Sequence, residues 1–387
     1  MAEALRDLLR CVLTPGLGPV LLDRLCEAFG SPEAVLRASR RELEACRGIG
    51  AGKASAIAKG LVESEVLADA ELELAAKLGV TLVAKSSAAY PEVLRSIPSA
   101  PPMLYVLGQL DAGIEGIGIV GSRKCTAYGV EQAERFAMGL TEVGLSVVSG
   151  GARGIDAAAH RGALRARSAT VAVLGCGLAN RYPPENGPLF DAILEGGGAL
   201  VSELPLRTAP QAKFFPGRNR IVSGLSLGVL VIEASAGSGA LITARYAGDD
   251  HGREVMVVPG RVDSPASEGS LGLLKAGAAT VVTGVRDVVG LVEASAHHLR
   301  VGTHARRFSQ PNHAASAPDR TEPSPIRAAV LPTDPHQRAI VEALDEPRTL
   351  DQVMEHSGLG AGELRAALTI LEIQGSVRRQ GERLVLG

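Results

Sequence analysis

The sequence predicts an α/β protein whose middle is a mostly parallel, doubly wound sheet, with an all-helical segment before it and a small module after it. Three observations support this. From Gly116 to about Leu291, short β-branched runs alternate with segments long enough for crossover helices, the pattern of a parallel sheet covered on both faces. Residues 1–80 keep a helical period broken only by short glycine turns. Beyond a proline- and serine-rich stretch, apolar residues return at helical spacing from His336. The expected organisation is a helical domain at 1–80, an α/β domain at 81–294, a flexible linker at 295–335 and a terminal domain at 336–387.

A chain of 387 residues suits two or three domains, and 46% hydrophobic content is ample for their cores. The formal net charge of -2 supplies no bulk attraction for a polyanion, so any nucleic-acid site has to be a local arrangement of basic groups. Aromatic residues make up only 3% and Trp is absent, which leaves few side chains for base stacking. Cys11, Cys26, Cys46, Cys125 and Cys176 show no C-x-x-C spacing; a zinc site or disulfide framework is not expected, and a reducing compartment fits. Met1-Ala-Glu-Ala-Leu-Arg-Asp does not read as a signal peptide, and no apolar run approaches the roughly 18 residues of a membrane span. The expectation is a cytoplasmic protein without membrane insertion, metal or cofactor.

Two turns in the helical segment resemble each other. Thr14-Pro-Gly-Leu-Gly-Pro precedes Leu22 and Leu25, and Arg47-Gly-Ile-Gly-Ala-Gly-Lys precedes Ala54 and Ile57. Each reads as helix, tight glycine hairpin, helix, with glycines free to adopt positive φ. This resembles the paired helix-hairpin-helix module, whose hairpin amides commonly meet DNA phosphates. The plainer alternative is an αα-hairpin that closes a small bundle. After Arg47 at its start, Lys53 is the one basic residue in the second hairpin and the first has none, so a DNA role for this segment is weakly supported. Residues 81–116 form a transition in which the prolines around 91–102 favour extended chain. Met103–Leu107 is an expected strand at the edge of the sheet.

The expected core strands are Ile117–Gly121, Ser146–Ser149, Thr170–Leu174, Ala199–Ser202, Val229–Glu233, Val255–Val258 and Thr280–Val282. Ligands of such sheets sit outside the carboxyl ends of the strands, and three of these ends are unusual. The first runs into Gly121-Ser122-Arg123, just before a helical segment at Tyr128–Val143. Free amides at a helix N-terminus beside an Arg fork suit a phosphate oxygen. The second runs into Ser149-Gly150-Gly151-Ala-Arg-Gly-Ile-Asp156, and the fifth into Gly237-Ser-Gly239-Ala. Three small-residue loops on one sheet point to an extended phosphate-bearing ligand.

Lys213-Phe-Phe-Pro-Gly-Arg-Asn-Arg220 is the most distinctive stretch. Lys213, Arg218, Asn219 and Arg220 supply four donors within eight residues, together with two of the six phenylalanines. Basic groups for phosphates beside an aromatic face suit single-stranded nucleic acid. Phenylalanines just before a helix are usually packed, so at least one of Phe214 and Phe215 is expected in the core.

Taken together, Gly121-Ser-Arg123, Ser149-Gly-Gly-Ala-Arg-Gly-Ile-Asp156 with Ala158 and His160, Phe215-Pro-Gly-Arg-Asn-Arg-Ile-Val-Ser-Gly-Leu-Ser226 and Gly237-Ser-Gly-Ala-Leu-Ile-Thr-Ala244 resemble the DNA-processing protein A family, DprA or Smf. The four motifs occur in order and at suitable separations, and the similarity extends over essentially the whole chain. The resemblance implies an extended Rossmann-like core flanked by a helix-hairpin-helix/SAM-like domain and a winged-helix domain. It implies a non-enzymatic protein that binds single-stranded DNA, forms a homodimer, and helps load the RecA recombinase in natural transformation. Residue by residue, it implies DNA contacts from Gly121, Ser122, Arg123, Ser149, Gly150, Gly151, Phe215, Arg218, Asn219, Arg220 and Gly239, and more weakly from Lys213. Gly217 departs from the family, which commonly has a basic residue there. The dimer is expected around Leu271–Leu274.

Enzymatic alternatives fit less well. Gly175-Cys176-Gly177 lacks the third glycine of a dinucleotide fingerprint, position 180 being Asn. Nucleotide phosphoribohydrolases share the fold, but their Pro-Gly-Gly-x-Gly-Thr loop and following catalytic Glu are not matched at Gly237-Ser-Gly-Ala. Asp156 and His160, four apart on a helix, are expected to cap and hydrogen-bond rather than to act as acid and base.

In the linker, His297, His298, His304 and His313 reflect polar composition rather than a metal site. After it, Ile340, Val341 and Leu344, then Leu350, Val353 and Met354, then Leu364, Ala367, Leu368 and Leu371 keep a helical period, and 375–386 reads as a two-stranded wing. Winged helices often read duplex DNA through the third helix, which makes duplex DNA a second candidate partner. Here that helix sets Glu363 and Glu372 against Arg365, a poor face for phosphates, and protein contact fits at least as well.

Overall fold

A computed structural model describes residues 2–300, 334–344, 348–360, 363–364, 367–368, 371, 377–380 and 383–386. The chain divides into two compact units, Met1–Pro311 and Asn312–Gly387.

The first unit begins with five helices: α1 Ala2–Leu13, α2 Pro19–Phe29, α3 Pro32–Arg37, α4 Arg40–Ala45 and α5 Ala51–Leu78. The two glycine turns are the hairpins expected. Gly16 and Gly48 take φ of +81° and +88°, and the apolar residue after each, Leu17 and Ile49, is a buried peg. Ser31 caps α3 through Ala34 N–H, and Ser39 with Glu42 forms a capping box on α4. The helical segment does not stand apart from the sheet. Leu9 of α1 and Ala68 and Ala75 of α5 share one core with Met103, Tyr105, Leu174 and Leu200.

The sheet contains nine strands: β1 Val80–Ala84, β2 Met103–Gly108, β3 Gly116–Val120, β4 Ser146–Ser149, β5 Thr170–Val173, β6 Ala199–Ser202, β7 Ser226–Val231, β8 Glu254–Val257 and β9 Thr280–Val281. All seven core strands expected from sequence are present with bounds shifted by up to three residues. The edge assignment is corrected. Met103–Gly108 pairs with both β1 and β6, and the edge is β1, which was not expected and lies at the start of the transition after the helical segment. Between strands lie α6 Glu92–Arg95, α7 Ala127–Glu142, α8 Ile155–Arg165, α9 Gly187–Glu195, α10 Phe214–Gly224, α11 Ala240–Arg245 and α12 Glu268–Lys275, and α13 Val285–Arg300 follows β9.

The strand order is β1-β2-β6-β5-β4-β3-β7-β8-β9, parallel from β6 through β9. The chain winds outward from β3 through β4, β5 and β6, then returns to place β7 on the other side of β3. That reversal opens a crevice at the carboxyl ends of β3 and β7. Every residue of β3, β5, β6 and β7 is buried, which is why these strands read as continuous apolar runs.

In the second unit, Asp334 caps α14, Pro335–Glu342, and Thr349 caps α15, Leu350–Ser357. β10 Arg348–Thr349 joins the wing strands β11 Val377–Gln380 and β12 Arg383–Leu386 in the order β10-β12-β11. Ile340, Leu344, Val353, Leu364, Leu368, Leu371, Val377 and Leu384 make its core. Most of the expected linker, with His304 and His313, lies outside the described residues, as do Arg365 and Glu372; α13 extends to Arg300, past the expected linker start. Among the described residues, no helix is long and apolar enough to cross a membrane, and no cluster of three metal-ligating side chains occurs.

Candidate nucleic-acid interface

The crevice at the β3/β7 reversal encloses about 900 Å³ and is walled by the three glycine-rich loops and the first turns of α10. The turn after β3 is fixed at both ends. Ser122 N–H donates to Glu233 O at 2.7 Å, and Ile155 N–H donates to Ser122 O at 3.2 Å. A Cβ on Gly121 would lie 2.6 Å from Ile155 and 2.8 Å from Glu233 O, so this glycine is required by packing. The turn leaves Arg123 and Lys124 exposed.

The helix terminus expected to receive a phosphate is already occupied. Thr126 Oγ1 caps Gly129 N–H of α7, while the buried Glu233 carboxylate accepts Thr126 N–H at 2.8 Å and the Thr126 hydroxyl at 2.6 Å. An internal acid therefore sits on the positive end of α7, and the cations that this turn leaves exposed are Arg123 and Lys124. Sequence reasoning missed Lys124, although it follows Arg123 directly.

The glycines of the second loop let chain segments approach one another. A Cβ on Gly150 would fall 1.8 Å from Arg218 Nη1, one on Gly151 2.9 Å from the Phe190 ring, and one on Gly154 2.3 Å from Ser122 O. Ser149 is fully buried and donates its hydroxyl to Ile119 O. In the third loop, Gly237 and Gly239 have open space beside them.

α10 divides its polar residues between two sides. Arg218 is 5% exposed and lines the crevice floor, with Nη1 donating to Val173 O at 2.8 Å; burial pulls its guanidinium below the ordinary arginine range. Asn219 Nδ2 donates to Gly239 O at 3.2 Å, tying α10 to the third loop. Arg220 does not line the crevice; it forms a buried ion pair with Glu203, whose carboxyl burial pushes up although Arg220 opposes this.

Neither Phe214 nor Phe215 enters the core; both are half-buried, which corrects the expectation that at least one would. Phe215 lines the crevice, with Arg123 Cζ 5.2 Å from its centroid and Tyr182 tilted against it at 5.9 Å. Lys213 is exposed and lies 5.0 Å from the Phe214 ring centroid.

The crevice thus gathers Gly121, Ser122, Arg123, Gly150, Phe215, Arg218, Asn219 and Gly239. Ser149, Gly151, Lys213 and Arg220 are not among its lining. Asp156 and Tyr182 are, and sequence reasoning gave neither a binding role. Asp156 accepts Ala152 N–H, and His160, fully buried and held neutral with its pKa lowered to about 3 by burial, bonds Thr170 Oγ1 at 2.9 Å. These are the structural duties expected of that pair.

Residues 81–293 match the family model described as DNA recombination-mediator protein A. The chain belongs to this family. Residues 316–382 match the DprA winged helix domain and residues 6–63 the SAM-like helix-hairpin-helix tandem. Protein Smf of Synechocystis sp. is 34% identical over 379 residues, covering 94% of each chain. Protein Smf of Escherichia coli is 38% identical over 295 residues, covering 76% of this chain and 74% of that one. The X-ray structure of DNA processing protein A from Streptococcus pneumoniae superposes with a TM-score of 0.62 at 31% identity, over 72% of this chain and 95% of that one. Family membership makes this a single-stranded DNA-binding protein of DNA processing and recombination rather than an enzyme. The phosphoribohydrolase alternative falls with it.

Proposed function

We propose that the crevice is where single-stranded DNA lies, its backbone crossing the loops after β4, β3 and β7. One observation carries this reading. Arg123, Lys124 and Lys213 form no ion pair among the described residues, whereas nearby Arg153, Arg181 and Arg220 are matched by Glu185, Asp191 and Glu203. Unpaired cations beside a large crevice, in a chain of net charge -2, are the local basic arrangement that phosphate binding requires. Gly121, Gly150 and Arg218 shape the floor, Asn219 and Gly239 join α10 to the far wall, and Ser149 and Gly151 support the second loop. Arg220 serves the fold.

The protein works as a homodimer that delivers the strand to RecA. Leu271, Leu273 and Leu274 on α12 are only partly buried, Leu273 and Leu274 resting on the sheet core, and Val262 and Val281 in the segments to either side are 90% and 52% exposed, apolar groups available to a second copy. Light scattering at micromolar concentration gives the dimer mass; a monomer contradicts this part. The winged helix contacts protein or duplex DNA. The five cysteines are free, as a reducing cytoplasm would keep them.

The test is a comparison of labelled oligo-dT with duplex of equal length at two salt concentrations. Preference for oligo-dT with salt-weakened binding supports the reading. Equal affinity for both, or no binding, contradicts it.

A further inference from the structure

Beneath the crevice lies a carboxyl group, an acid on a surface read as binding anions. Asp156, in the first turn of α8, is 7% exposed and part of the crevice lining. Burial works against its anion, which the nearby Arg218 and Arg123 guanidiniums, Ala152 N–H and the Ser149 hydroxyl favour; a phosphate drawing on the same two guanidiniums weakens that support. Ala152 N–H donates to Oδ2 at a long 3.3 Å, and among the described residues it forms no ion pair. Ser149 Oγ is its other polar neighbour. That hydroxyl donates to Ile119 O at 2.7 Å, and its contact with Asp156 favours the carboxylate.

The charged and titratable groups facing Asp156 are Arg218 from α10, Arg123 and Cys125 from the β3–α7 turn, and His160 one turn further along α8. His160 is neutral across the working range and bonded to Thr170. Arg218 has an unpartnered Nε. A buried acid and a buried base under the same surface, out of ion-pair contact, leave the charge of the crevice floor adjustable by one proton. Burial pushes the Asp156 carboxyl up, in the same sense.

We propose that Asp156 couples DNA binding to proton uptake: a phosphate entering beside Arg123 and Arg218 favours the protonated acid, which takes its proton from solvent. The inference rests on reading the crevice as the DNA site. Its sign follows from linkage. Binding that takes up a proton strengthens as pH falls, and levels off once the acid is already protonated in the free protein.

Calorimetry of the full chain with oligo-dT, in two buffers of different ionisation enthalpy, counts the protons directly. Neither thymine nor phosphodiester titrates between pH 6 and 8, so exchanged protons come from the protein. We expect net uptake of a fraction of a proton per strand. Oligo-dT affinity should rise about three- to tenfold from pH 8 to pH 6, the direction that proton uptake on binding requires. Asp156→Asn should bind at least as tightly as wild type at pH 8 and take up no proton. Wild-type binding without proton uptake overturns the inference, as does unchanged uptake in the variant. Weaker binding by a variant of wild-type melting temperature would mean instead that the carboxylate holds Arg218 in place, and also overturns it. Absence of oligo-dT binding by wild type overturns the crevice reading itself.

Discussion

The guanidinium of Arg123 lies over the ring of Phe215, Cζ to centroid 5.2 Å, and Tyr182 packs on the same ring at a 48° tilt. Arg123 comes from the turn after β3 and Phe215 from the start of α10, so this contact joins two walls of the crevice. If Phe215 serves the site by orienting this cation rather than by stacking on a base, its loss should cost little.

Phe215→Leu should therefore weaken oligo-dT binding by only about 0.5–1 kcal/mol, two- to fivefold, the worth of an exposed cation–π contact. Phe215→Tyr should bind as wild type. Fluorescence anisotropy at constant salt measures both. A loss for the Leu variant well beyond this range, toward the roughly 1–3 kcal/mol of a stacked base, would return Phe215 to direct contact with DNA.

The glycines separate by what surrounds them. Gly150→Ala places a Cβ 1.8 Å from Arg218 Nη1, and the buried arginine must move. A stability loss of about 1–3 kcal/mol is expected, with oligo-dT affinity falling as the floor cation is displaced. Gly237→Ala meets nothing within 4 Å and should stay within about 0.5 kcal/mol of wild type. Urea unfolding compares the two; equal stability would mean the second loop yields easily.

Arg220→Ala should look like a DNA-binding defect and be a folding defect. Removing the guanidinium leaves Glu203 unpaired, costing about 2–4 kcal/mol, below the roughly 3–5 of a fully buried pair because the Glu203 side chain keeps 20% exposure. The deficit relative to wild type should shrink from pH 8 to pH 5.5, because the orphaned acid escapes its cost by taking a proton. The double variant Arg220→Met with Glu203→Leu should recover both stability and oligo-dT binding. A stable double variant that no longer binds would put Arg220 on the DNA.

Much of this arrangement was legible in the chain. The core strands are buried on both faces, so Gly116–Val120 and Ser226–Val231 read as unbroken apolar runs. β1 was hidden because Val80–Ala84 follows α5 with only Gly79 between. Arg218 and Arg220 looked like one basic cluster, yet residues two apart on a helix do not share a face; one reaches the crevice floor and the other Glu203. The occupant of the α7 terminus was beyond local reading, since Glu233 lies 107 residues from Thr126. Sequence spacing could suggest where an anion belongs, but not that the protein supplies one of its own.

The most direct test of the crevice as the DNA site is the salt dependence of oligo-dT binding in wild type and Arg123→Ala. Each phosphate neutralised on a single strand contributes about -0.7 to the slope of log K against log salt. The variant should bind more weakly with a slope shallower by about that amount. The same slope in both proteins would mean that Arg123 meets no phosphate, and would contradict the account.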